Sequence, residues 1–335
     1  MARVLYGCLA VVVLTGLISP CLDRAQAEEV RIAGGYGLCY LPMDVALDQK
    51  LIEKHAAAAG IPNVQVSFQR LASGNTDTDA VLSGSADIAM VGVSVMLNVI
   101  DKTVGHNPIK GMMAMCDSPI YFNTTDPRIK SIADLGPTDR IAMAGGRGTQ
   151  HALVLEMATA QAFGWDQRNK FDALLVPMSH PDGVAALLSG VVKTHATTVP
   201  FIQMELSHPG VRTILNSYDV AGGQHTLVTA YASQKWRMEH PALYQATIDA
   251  FTEAMQIIKS DKRSAANLFT RMEPSKLSAD DVYKILLDEK MMDYSPTPHK
   301  IMVWANFMAK DGWLKHQFKS WKDAFFDNIH NTPGN

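Results

Sequence analysis

The chain has 335 residues, 30 Lys and Arg against 33 Asp and Glu, a formal net charge of −3 and 47% hydrophobic residues. That length suits one large or two medium α/β domains. A near-even charge balance without lysine–arginine blocks excludes nucleic acid as the partner.

The first residues read as an export address. Arg3, the apolar stretch from Val4 to Ile18, and Ala25-Gln26-Ala27 form a basic region, a hydrophobic region and a small-residue cleavage site. A signal sequence over residues 1–27, cut after Ala27, sends the chain to the periplasm. Pro20 beside Cys21 disfavours a lipid anchor there. No later run is long and apolar enough to span a bilayer. Cys8 and Cys21 leave with the signal, so Cys39 and Cys116 remain, either as a disulfide or as two buried thiols.

Beyond the signal, strands alternate with helices. Val30 to Ala33 starts a strand that runs into Gly34-Gly35-Tyr36-Gly37-Leu38-Cys39-Tyr40, and Pro42 to His55 reads as an amphipathic helix. Val64 to Phe68 alternates as a second strand. Ser73-Gly74-Asn75-Thr76 then supplies a turn with capping residues before a helix that ends near Ser83. Asp87 to Val91 is a third strand, closing at Gly92-Val93-Ser94. This alternation predicts parallel sheets covered on both faces.

Ile109 to Phe122 is a long apolar stretch that suits a crossing from one lobe to another, and Gln224 to Tyr231 suits a return. Ile132 to Gly136 reads as a short helix. After Pro241 the pattern turns helical, at Tyr244 to Lys259, Lys262 to Met272, Ser278 to Leu287 and Thr297 to Lys310. An internal echo supports two lobes of similar build. Ala80-Val-Leu-Ser-Gly84 and Ala186-Leu-Leu-Ser-Gly190 each close a helix. Each helix follows a capping turn, Ser73 to Thr76 or Ser179-His180-Pro181-Asp182, and precedes a strand, the later one at Thr194 to Thr198.

The centre of the chain carries the strongest local signal. Ile141 to Ala144 is a short buried strand, Gly145, Gly146 and Gly148 break it, and a helix follows from Thr149, a candidate N-cap. Strand, glycine loop and helix N-terminus together aim N–H groups and a positive dipole at one point, with Arg147 adding charge. The spacing fits neither a Walker loop nor a dinucleotide fingerprint. An anion cradle and an ordinary tight βα turn both fit it.

In this order, Leu41-Pro-Met-Asp-Val-Ala-Leu-Asp-Gln-Lys-Leu-Ile-Glu-Lys54, Leu82-Ser-Gly-Ser-Ala-Asp-Ile-Ala89 and Ile129-Lys-Ser-Ile-Ala-Asp-Leu135 resemble the periplasmic solute-binding proteins of ABC importers in the nitrate, sulfonate and taurine class. The resemblance covers nearly the whole chain after the signal. It implies a type II periplasmic-binding fold, two α/β lobes joined by a two-strand hinge, with a ligand between them. The crossings near Pro119 and Thr226 then place lobe I at 28–118 and 226–335, and lobe II at 119–225. Lys193-Thr194-His195 stands where the family often has an aspartate, so sulfonate or taurine specificity does not transfer simply. A related enzyme branch makes a pyrimidine precursor of thiamine with a cysteine-rich iron segment, which this sequence lacks.

In such a fold, ligand groups come from loops at the carboxyl ends of strands. Lobe I offers Tyr36, Cys39, Tyr40, Gly74, Asn75, Thr76 and Ser94. Lobe II offers Arg147, Gly148, Thr149, Thr198 and Phe201, with His225 near the hinge. Arg147 decides ligand charge in this reading. His195 reads as a packed histidine, and His55 and His151 lack partners at metal-binding spacing, so no metal and no cofactor is expected. The expected function is capture of a small organic anion (a sulfonate, carboxylate or aromatic acid) by a monomeric receptor that delivers it to an ABC permease and its ATPase. The alternatives are an enzyme using the same cleft and a ligand-sensing module for a signalling partner. No Gly-x-Ser-x-Gly elbow supports the enzyme.

Overall fold

The computed structural model describes residues 28–273 and 276–335, and the expected signal sequence lies outside them. β1 (Glu28–Gly34) leads through one 3-10 turn into α1 (Leu41–Asp48) and α2 (Leu51–Ala58). The single helix expected from Pro42 to His55 is broken at Lys50, whose backbone is left-handed at φ 51° and cannot continue a right-handed helix. β2 (Val64–Arg70), α3 (Gly74–Leu82), β3 (Ile88–Gly92), α4 (Val93–Thr103) and β4 (Ile109–Asp117) follow. Ser73 caps α3 in a reciprocal box with Thr76, as the turn residues predict.

The next stretch comprises β5 (Tyr121–Thr124), β6 (Ile141–Met143), α5 (Gln150–Phe163), β7 (Leu175–Pro177), α6 (His180–Leu188), β8 (Thr194–Thr197), α7 (Phe201–Leu206), β9 (Arg212–Asn216) and α8 (Ser217–Ala221). β10 (Thr226–Ser233) precedes a helical tail of α9 (Gln234–Glu239), α10 (Pro241–Ser260), α11 (Lys262–Met272), α12 (Ala279–Leu287) and α13 (Ile301–Asp311).

The strands form two five-stranded sheets, ordered β2-β1-β3-β10-β4 and β7-β6-β8-β5-β9. β1 pairs parallel with β2 and β3, and β6 pairs parallel with β7 and β8. β10 runs antiparallel between β3 and β4, and β5 antiparallel between β8 and β9. The lobes are therefore the same design twice, and the repeated Leu-Ser-Gly elements end α3 and α6, which lead into equivalent strands. The chain passes between sheets after β4 and again before β10. At these crossings Ile120 N donates to Ser217 Oγ (2.8 Å), and Ser217 N donates to the Ile120 carbonyl (2.9 Å).

Both faces of the first sheet are covered, so β4 is buried along almost its whole length. Tyr231, Phe251, Phe269, Trp304 and Phe325 are fully buried. Cys39 and Cys116 form a disulfide with Cα atoms 5.5 Å apart, which settles their open alternative. No helix among the described residues is long and apolar enough to cross a membrane.

Candidate ligand cavity

Parallel strands deliver their carboxyl ends to one place, and here both lobes aim theirs at a shared cavity of about 60 Å³. Four helices begin at its wall: α3 at Ser73 and Gly74, α4 at Gly92, α5 at Thr149 and α6 at His180. Each turns the positive end of its dipole toward the cavity. No Lys, Arg, Asp or Glu lines it among the described residues. The positive ends at its wall are therefore those of the backbone.

The lobes touch around this cavity. Leu38 N donates to the Val199 carbonyl (3.1 Å), and Ser94 N donates to Gln150 Oε1 (2.8 Å). Gly37 sits at φ 110°, and a Cβ there would lie 2.8 Å from the Val199 carbonyl oxygen. Gly145, at φ 95°, likewise lets the central loop approach Ser73, whose Cβ would lie 3.1 Å from an added Cβ. Glycine at these positions allows both the backbone angle and the close approach.

Tyr36 and Tyr40 line the lobe I side, and burial pushes the Tyr40 hydroxyl pKa well up. Behind Tyr36, Arg70 is held by Asp44 (2.6 Å) and Glu273 (3.1 Å), and Glu273 also accepts from Gly37 N (2.9 Å). This buried network fixes the loop after β1. Burial raises Asp44 to about 6 and Glu273 to about 7 against the opposing pull of Arg70.

His151 and His180 line the lobe II side, 8% and 7% exposed, with ring centroids 5.0 Å apart. His180 also stacks on Phe201 (5.4 Å) and lies 5.6 Å from the ring of His195, whose Nδ1 meets Glu205. His151 Nε2 and His180 Nδ1 are buried without a hydrogen-bond partner. Burial drives His151 down to about 3 and His180 well below its ordinary value, and the neighbouring histidines add to both shifts. No group of three or more His, Cys, Asp or Glu is arranged to hold a metal among the described residues.

Of the residues nominated from sequence, the structure brings Tyr36, Cys39, Tyr40, Gly74, Thr149 and Thr198 together at the cavity. Asn75, Arg147 and Gly148 line a neighbouring hollow instead. Thr76 completes the α3 cap, and Ser94 spans the lobe contact just described. Phe201 backs His180. His225 is buried at the crossing, 2.8 Å from Ser217 Oγ, and burial lowers it to about 4.

Arg147 does not face the cavity. Its side chain is 56% exposed, lies 3.6 Å from Asp172 and 3.9 Å from Glu156, and sits 5.8 Å from the Trp313 ring. Asp172 is the nearer acidic partner, while burial first, then Asp172 and Asp311, raise the nearby Glu156 to about 8. Sequence reasoning missed Gln150, His151 and His180. The echo between Ser73-Gly74 and Ser179-His180 was the signal that pointed to His180.

Comparison with solved structures gives the same fold at low identity. The periplasmic aliphatic sulphonate binding protein of Escherichia coli is similar at 18% identity and TM-score 0.63, over 91% of this chain and 99% of that one. The alkanesulfonate-binding protein of Xanthomonas axonopodis pv. citri, bound to MOPS, is 15% identical at TM-score 0.67 over 87% of this chain and 96% of that one. For the periplasmic nitrate-binding protein of Synechocystis PCC 6803 the values are 16%, 0.67, 87% and 83%. These are binding proteins of the nitrate and sulfonate class that the sequence motifs resemble, and they share the two-lobed type II periplasmic-binding fold. No curated protein matches the chain by sequence. The NMT1-like family model matches residues 23–272, and the chain belongs to that family.

Proposed function

We propose that this chain is the periplasmic receptor of an ABC importer. It captures a small organic anion between its lobes, which close by hinge motion, and hands it to a permease and its ATPase without transforming it. In this reading lobe I comprises 28–118 and 226–335, lobe II comprises 119–225, and the receptor acts as a monomer after cleavage at Ala27. The observation that carries it is the convergence of four helix N-termini from both lobes on one cavity. Such an arrangement suits an anion without a charged side chain. The cavity of about 60 Å³ exceeds the roughly 10–15 Å³ that one ordered water needs, so it has room for a small solute.

Native mass spectrometry of the protein as purified, then a thermal-shift panel of nitrate, methanesulfonate, taurine, acetate, propionate and neutral propionamide, tests the reading. Stabilisation by one or more of the anions but not by propionamide supports it. Stabilisation by propionamide alone overturns it.

A further inference from the structure

We propose that His151 and His180 are the anion-recognising side chains of the cavity, and that capture of the anion takes up one proton onto this pair. The inference rests on the small-anion reading and adds its chemistry. The wall offers no fixed cationic side chain, yet it contains two adjacent imidazoles, each more than nine-tenths buried and each with a ring nitrogen lacking a partner. A buried polar atom left unpaired costs about 1–3 kcal/mol, so a native fold keeps such atoms where something else satisfies them.

Before capture, desolvation and the helix dipoles both oppose a charge on these rings, and the rings are neutral. An anion beside them reverses the balance, because an opposite charge within a few ångströms favours the imidazolium. Further in, His180 adjoins His195, which meets Glu205, and Glu205 accepts from Asn123 Nδ2 (2.9 Å); His195 itself opposes a charge on His180, so the anion alone must stabilise it. The other titratable groups facing the pair are Tyr36 and Tyr40 across the cavity, with Asp77 behind Tyr40. From α4, one of the elements packed on α5, the contact is the uncharged Ser94.

The proton is visible in binding. Where the free rings are neutral and the bound pair holds one proton, affinity rises about tenfold for each unit that pH falls. Calorimetry with nitrate, methanesulfonate, acetate and propionate, across mildly acidic to mildly basic pH, reads this directly. Bis-Tris and Tris, cationic buffers of different ionisation enthalpy, report the proton without adding a competing anion. Nitrate and methanesulfonate remain ionised throughout, so a proton taken up with them resides on the protein.

The expected result is uptake of one proton per anion and a tenfold affinity change per pH unit. His151→Gln and His180→Gln should each lose at least tenfold in affinity at mildly acidic pH and flatten the profile. Binding that is independent of pH and buffer overturns the inference and leaves the small-anion reading standing on the helix N-termini. Proton uptake undiminished in both glutamine variants also overturns it. Failure of every anion to bind at any pH overturns both. The wild-type profile is decisive even where a variant does not fold.

Discussion

Asp77 offers a direct test of how this molecule handles buried charge. It lies in the first turn of α3, is fully buried, and has no hydrogen-bond partner on either carboxyl oxygen. Burial raises its pKa from 3.8 to about 8. The folded protein thus keeps a proton that the unfolded chain releases above its ordinary value. More protons are bound in the native state, so unfolding free energy falls as pH rises through this window. The slope is about 1.4 kcal/mol per pH unit, until the native carboxyl itself ionises. Asp77→Asn keeps the shape and removes the titration. Over the three units below the native pKa, the stability difference between variant and wild type should grow by up to about 4 kcal/mol in favour of the variant. Urea unfolding of both proteins at a series of pH values measures it, and other titrating groups cancel in the difference. Parallel stability profiles would show that Asp77 ionises normally and is solvated.

Other expectations follow from packing and covalent links. Replacing both Cys39 and Cys116 by serine releases a loop with sequence separation 77, and chain entropy puts the loss at about 4–5 kcal/mol; urea midpoints without reductant read it. A Cβ at Gly111 would lie 2.4 Å from the fully buried Phe325 ring, so Gly111→Ala should cost about 1–3 kcal/mol, seen as a lower melting temperature. Arg147→Ala should cost at most about 1 kcal/mol, because the Arg147 side chain is 56% exposed and its ion pairs are long. The same variant should bind the anion found by the panel within about twofold of wild type; a tenfold calorimetric loss, about 1.4 kcal/mol, would place the guanidinium at the anion.

Much of the architecture was legible because it depends on local rules. Alternating strand and helix signals, capping turns and the repeated Leu-Ser-Gly elements mark βα units, and each unit carries its pattern within a few residues. The crossings were legible for a similar reason: Ile109 to Phe122 is apolar beyond the needs of one strand, and it contains β4, the connection and the start of β5. The break at Lys50 was not legible. Nothing in Asp48-Gln49-Lys50 forbids a helix, and the left-handed turn is set by how α1 and α2 pack on the rest of the lobe.

The site divides along the same line. Tyr36, Tyr40, Gly74, Thr149 and Thr198 sit at strand ends, where position in the βα unit alone directs a residue toward the cavity. Arg147 occupies such a position too, but a long charged side chain is placed by charges elsewhere in the fold. Glu156 and Asp172 follow it by several turns of chain, and only folding assembles them into an acidic group beside Trp313. The histidines show the reverse case. Neither His151 nor His180 belongs to a catalytic or metal motif in sequence, one inside a helix and one before a proline, and only the fold brings the first turns of α5 and α6 together with these rings 5.0 Å apart. A permanent charge can be read from a sequence, whereas the charge of an imidazole depends on its surroundings, and burial here keeps both rings neutral. On the proposed reading, anion selectivity rests on groups whose charge the fold creates, while Arg147, with its permanent charge, lies outside the cavity beside Asp172 and Glu156.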